Sequence, residues 1–97
     1  MANNGGGTAL LAWTEAAWED YLRWQREDRK TLRRINSLIE ATTRTPFEGI
    51  GKLEALRANL AGYWSRRIDK ANRLVYSVDG GVITIVSCRF HYGPERR

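Results

Sequence analysis

The sequence predicts an α+β domain in which an N-terminal strand and two helices pack on one face of an antiparallel sheet. Apolar residues in the first half recur at helical spacing, those in the second half switch to a period of two, and Asp79-Gly80-Gly81 marks a hairpin turn between two apolar runs. Ninety-seven residues fit a single core, and 42% hydrophobic with 28% charged residues is ordinary globular usage, which excludes a second catalytic domain and general disorder.

Residues 1–8, with Asn3-Asn4-Gly5-Gly6-Gly7, read as a flexible leader ahead of one domain over 9–97. Ala9–Trp13 is a short apolar run whose length favours a strand. Thr14 is a candidate N-cap for a helix over about 15–27, where acids occupy the first turn and Trp18, Tyr21, Leu22 and Gln25 share a face. Asp28 can cap a second helix, to about Thr43, on the stripe Leu32, Ile35, Leu38 and Ile39. Thr45-Pro46 ends it, because the residue before proline is driven from the α region. Gly49 and Gly51 predict a loop, and Leu53–Leu60 a short helical segment. From Tyr63 to Ile68 the pattern alternates as in a half-exposed strand, Leu74–Val78 is the next, and Val82–Val86 pairs back after the turn. Ser87–Tyr92 extends it or adds a fourth.

Sixteen Lys+Arg against eleven Asp+Glu give +5, and thirteen of the sixteen are Arg, whose planar fork suits phosphate. Residues 1–28 hold two bases and five acids, while 29–97 hold fourteen bases and six acids, so the positive charge belongs to the later part. A polyanionic partner and plain solubility both explain such an excess. One Cys and one His cannot supply the three or four ligands of a zinc site, and no cofactor is expected. The absence of a long apolar run leaves no membrane span, and the cytoplasm is the expected compartment.

Tyr63-Trp64-Ser65-Arg66-Arg67, Arg73 and Arg89-Phe90-His91-Tyr92 interleave cations with aromatics. Arginines on phosphate and rings on unpaired bases would suit single-stranded RNA; aromatics packed on the helices with solvated arginines would look the same in sequence. Glu54 pairs with Arg57 if the segment is helical, and Cys88 reads as a small core residue. The inventory also suits a metal-free RNA cleavage, in which Glu, His and Arg serve as base, acid and phosphorane cation and the 2′-hydroxyl is the nucleophile.

Trp18-Glu19-Asp20-Tyr21-Leu22, Arg44-Thr45-Pro46-Phe47-Glu48-Gly49, Gly51-Lys52-Leu53-Glu54-Ala55-Leu56, Gly62-Tyr63-Trp64-Ser65-Arg66-Arg67-Ile68, Arg73-Leu74-Val75-Tyr76 and Cys88-Arg89-Phe90-His91-Tyr92 closely resemble, in order, the YoeB toxins of the RelE superfamily. The resemblance implies a RelE-like microbial RNase fold and a ribosome-dependent endoribonuclease of a type II toxin–antitoxin pair. It would cut mRNA in the A site of the 70S ribosome, be silenced by a YefM-like antitoxin and meet DNA only through that complex. The family, with apolar surface on the first helix, also suggests a homodimer. By this likeness Glu54 is the general base, Arg73 the transition-state cation and His91 the general acid. Tyr92 positions substrate, and Lys52, Arg57, Arg66, Arg67 and Arg89 hold RNA. Arg73 and Arg89 would keep His91 from protonating until phosphate binds. Leu53 stands where the family usually has proline, Asn72 where it has histidine, and Gly93–Arg97 extends past the usual terminal tyrosine. The rival expectation is a non-catalytic basic module that binds RNA or the ribosome and blocks translation without cutting.

Overall fold

The computed structural model describes residues 10–89. The leader, Ala9, Phe90, His91, Tyr92 and the Gly93–Arg97 tail lie outside the described residues.

Strand β1 (Leu10–Trp13) leads into helix α1 (Glu15–Glu27) through Thr14, whose Oγ1 accepts from the Ala17 amide at 3.1 Å. Asp28 then closes α1 and opens α2 (Arg29–Arg44), its carboxylate accepting from the Thr31 amide at 3.0 Å and the Thr31 hydroxyl at 2.8 Å. These bonds hold the Asp28 carboxyl below its ordinary range. Thr45 ends α2 ahead of Pro46, one residue beyond the predicted limit and for the predicted reason.

Strands β2 (Glu54–Ala55), β3 (Tyr63–Arg67), β4 (Arg73–Asp79) and β5 (Val82–Ser87) follow, and the sheet order is β1-β5-β4-β3-β2. Two expectations are corrected. The sheet is mixed, because β1 runs parallel to β5, with Leu10 opposite Val82 and Trp13 opposite Ile85. Both helices lie in the chain that separates the two strands, and parallel neighbours need such a long crossover. The segment after Gly51 does not start as a helix: Glu54 and Ala55 pair with Ser65 and Trp64, and only Ala58–Leu60 forms a 3-10 turn. Eight residues have little intrinsic helicity, and an open strand edge offers them backbone partners.

Ala17 and Trp24 of α1 and Ile35, Leu38 and Ile39 of α2 pack on Leu74, Tyr76, Ile83 and Ile85 of the sheet. Trp64 joins this side, so Tyr63, Ser65 and Arg67 project from the opposite, helix-free face, together with Glu54 and Arg73 that pair across from Ser65 and Arg67. No helix of the described residues is long and apolar enough to cross a membrane.

Candidate active site

On the helix-free face three neighbouring strands bring an acid, a hydroxyl and a guanidinium together. Glu54 of β2 lies opposite Ser65 of β3, and Arg73 enters from the first position of β4. Arg73 Nη1 donates to Ser65 Oγ at 3.2 Å and stands 3.7 Å from Glu54 Oε1. The Arg73 side chain is 19% exposed and that of Glu54 is 51% exposed, so the cation is oriented by its surroundings while the carboxylate meets solvent. The acid pairs with Arg73, across the sheet, rather than with Arg57 along the chain. Arg57 nevertheless lines the same cavity as Glu54, about 280 Å³ in volume, with Ala55, Leu56 and Leu60 as its apolar wall. Arg67 is directly across from Arg73, and Lys52 is exposed on the approach to Glu54.

The loop before Glu54 reaches the sheet by a glycine. Gly51 has φ +92°, and a Cβ there would lie 2.8 Å from Leu38 Cδ2, so no other residue lets the chain pass so close to α2. Its carbonyl accepts from the Arg67 amide at 2.6 Å, which latches the loop to β3 just before Lys52 and Glu54.

Two of the predicted RNA ligands sit elsewhere. Arg66 is fully buried on the helix side, where its guanidinium donates to the carbonyls of Thr45, Glu48 and Ile50 and to the Tyr76 hydroxyl. The expectation that Arg66 holds RNA phosphate is therefore corrected: β-strand alternation turns it away from the face that carries Arg67. Arg89 lies over the Trp24 ring at 4.5 Å and donates to Glu27 at 3.1 Å, which holds the Glu27 carboxyl below its ordinary range. It too faces α1 rather than the Glu54–Arg73 pair. His91 and Tyr92 lie outside the described residues.

The end of β5 is fastened to α1 by further contacts. Trp24 Nε1 donates to the Cys88 carbonyl at 2.8 Å, and the Cys88 amide donates to Asp20 at 3.3 Å. Cys88 is buried, as the sequence implied, and burial pushes its thiol up to about 12, which removes it as a nucleophile at neutral pH. Ser65 is the site residue that the sequence did not single out. Its signal was present in its position, alternating with Trp64 and Arg66, but a lone serine on a strand carries no chemical mark. Asn72 donates to Asp69 in the β3–β4 turn, so the residue ahead of Arg73 serves the turn.

A wet carboxylate beside an oriented guanidinium can accept a proton while the cation meets charge growing on a phosphate. Residues 13–92 match a family model described as a YoeB-like toxin of bacterial type II toxin–antitoxin system. A curated relative, Toxin YoeB of Synechocystis, is 57% identical over 82 residues, 84% of this chain and 95% of its own. The solved YoeB/ParE toxin from Agrobacterium tumefaciens superposes with a TM-score of 0.84 at 48% identity, over 86% of this chain and 99% of that one. A toxin chain in the heterotetrameric YoeB–YefM complex from Staphylococcus aureus superposes with a TM-score of 0.79 at 45% identity, over 87% and 98%.

Proposed function

The chain belongs to the YoeB-like toxins of bacterial type II toxin–antitoxin systems, and from that membership we propose that it is a ribosome-dependent endoribonuclease. It cuts mRNA in the A site and is silenced by a YefM-like antitoxin. The observation that carries the reading is the Glu54–Arg73 pair, 3.7 Å apart on the face that no helix covers. Such a face can receive a polynucleotide in an extended form.

In this reading Glu54 removes the proton from the 2′-hydroxyl, which attacks the neighbouring phosphate and expels the 5′-oxygen. Arg73 meets the charge that builds on the phosphorane, and it does so already oriented by Ser65, with little reorganisation during the reaction. Arg67, Arg57 and Lys52 hold the phosphates on either side. His91 gives the leaving oxygen its proton and Tyr92 positions the substrate; both roles rest on the family likeness of the Cys88–Tyr92 segment. No metal ion is called for, because the base, the cation and the acid are all side chains.

The test is primer-extension mapping of mRNA 5′ ends in a purified translation reaction. Wild-type protein is expected to create new ends within A-site codons, and Glu54→Ala and His91→Gln are expected to lose them while still binding ribosomes. Stalled ribosomes on intact message, equally in all three, would replace this reading with that of a non-catalytic translation block.

A further inference from the structure

Arg66 occupies an unusual position for a cation: fully buried, with no carboxylate of the described residues in an ion pair to it. Its compensation is a ring of oxygens. Nη2 donates to Thr45 O at 2.7 Å and Glu48 O at 3.0 Å, Nη1 to Ile50 O at 3.0 Å, and Nε to the Tyr76 hydroxyl at 3.1 Å. Tyr76 completes the ring by donating to Pro46 O at 2.7 Å. Thr45 is the C-terminal cap of α2, where the helix dipole places partial negative charge that favours a guanidinium. Four carbonyls between residues 45 and 50 are thus held by one arginine and one tyrosine, and Gly49 suits this loop because its φ of +119° strains other residues, while a Cβ there would also lie 3.1 Å from Arg66 Nη1.

That loop ends on the base. The next carbonyl, Gly51 O, accepts from the amide of Arg67, the neighbour of Arg66, and Glu54 pairs with Ser65, its other neighbour. Residues 65, 66 and 67 of one strand therefore fix the loop twice: the Arg66 side chain gathers it on the covered face, and the backbone on either side of Arg66 aligns its exit along the strand edge. We propose that Arg66 and Tyr76 are positioning residues for Glu54, acting through the 45–51 loop from the covered side of the sheet, and that neither touches RNA. The proposal rests on the reading of Glu54 as the general base.

Tyr76→Phe is the informative variant, because it keeps the ring in the core and removes only the hydroxyl that bridges Arg66 to Pro46; Arg66→Lys is the second, keeping the charge but not the fork. Single-turnover cleavage on programmed ribosomes, ribosome affinity against salt, and amide hydrogen exchange are measured for each. Both variants are expected to cleave roughly ten- to a hundredfold more slowly, since small misplacements of a reacting group have effects of that size. Affinity and its salt slope are expected to match wild type, whereas a phosphate-binding arginine would flatten the slope by about one on removal. The Arg67 amide is expected to exchange faster as its bond to Gly51 loosens. Unchanged cleavage and exchange in Tyr76→Phe would overturn the proposal, and so would a salt slope flattened by about one in Arg66→Met, which removes the charge that Arg66→Lys keeps. If wild-type protein cut nothing, the nuclease reading would fall instead, and the exchange result alone would decide whether Arg66 and Tyr76 organise the loop.

Discussion

Arg73 owes its direction to Ser65, a residue with no reactivity of its own. Replacing Ser65 by Ala leaves the guanidinium in place without its 3.2 Å acceptor, so the chemistry should survive with a poorer geometry. Arg73→Ala is expected to slow single-turnover cleavage by roughly 10²- to 10³-fold, the usual effect of removing a transition-state partner, and Ser65→Ala by clearly less. Equal effects would mean that Ser65 itself meets the substrate. Cys88 offers a test independent of activity. A thiol raised from 9.0 to about 12 stays protonated in the folded chain while the unfolded chain ionises, so its contribution makes stability fall as pH rises from about 9 towards 12. Alkylation by iodoacetamide at pH just below that window should be slow in the native protein and fast in urea. At this scale Glu54 and Arg73 were named through the family resemblance, and the structure sets them 3.7 Å apart; from the residues alone Glu54 read as the partner of Arg57. The sequence was not legible for Arg66, which looks like Arg67 in composition and charge. The alternation puts the two on opposite faces, and the apolar Trp64 and Ile68 flanking Arg66 at intervals of two were the clue that its face is the covered one.

Elements held by local chemistry were read closely, because their signals are carried by the residues that form them. Thr14 and Asp28 bracket α1 as the capping rules require, and both accept hydrogen bonds from backbone amides three residues on. Thr14→Ala is expected to lower stability by about 1 kcal/mol in urea unfolding. The Asp28 carboxyl lies below its ordinary value of 3.8, so the stability it adds is present above that pH and is lost as the pH falls through the lower folded value. Asp28→Asn should therefore flatten the acid side of the stability profile, measured as urea midpoints at neutral and acid pH. Strand β2 was not legible. Two residues have no periodicity, and Glu54-Ala55 becomes a strand only because β3 presents an edge and Gly51 delivers the chain to it. The orientation of β1 was hidden for a similar reason: an apolar run of five residues does not say which neighbour it will find.

Across the molecule four of the fourteen bases of residues 29–97 gather near Glu54: Arg73 at 3.7 Å, Arg67 opposite Arg73, Arg57 on the same cavity, and Lys52 exposed two residues before the acid. Binding to ribosomes or RNA should weaken steeply with salt, and Arg67→Ala should flatten that dependence by about one in the logarithmic slope while leaving bound-state cleavage closer to wild type. A message with a single 2′-deoxy nucleotide at the scissile position is expected to bind normally and remain uncut, since the proposed nucleophile is missing. Cutting of that message would require water or a side chain as nucleophile. The parallel pairing of β1 with β5 has a consequence in time. The first strand of the sheet finds its partner only when Val82–Ser87 exists, so most of the protein must be synthesised before the edge can close, and the contacts that close it span about seventy positions. The antiparallel pairs β2–β3 and β3–β4 need only residues 54–79, but β1 cannot join them until β5 is in place. By topology alone, the β1 edge of this toxin stays open until β5 has been made.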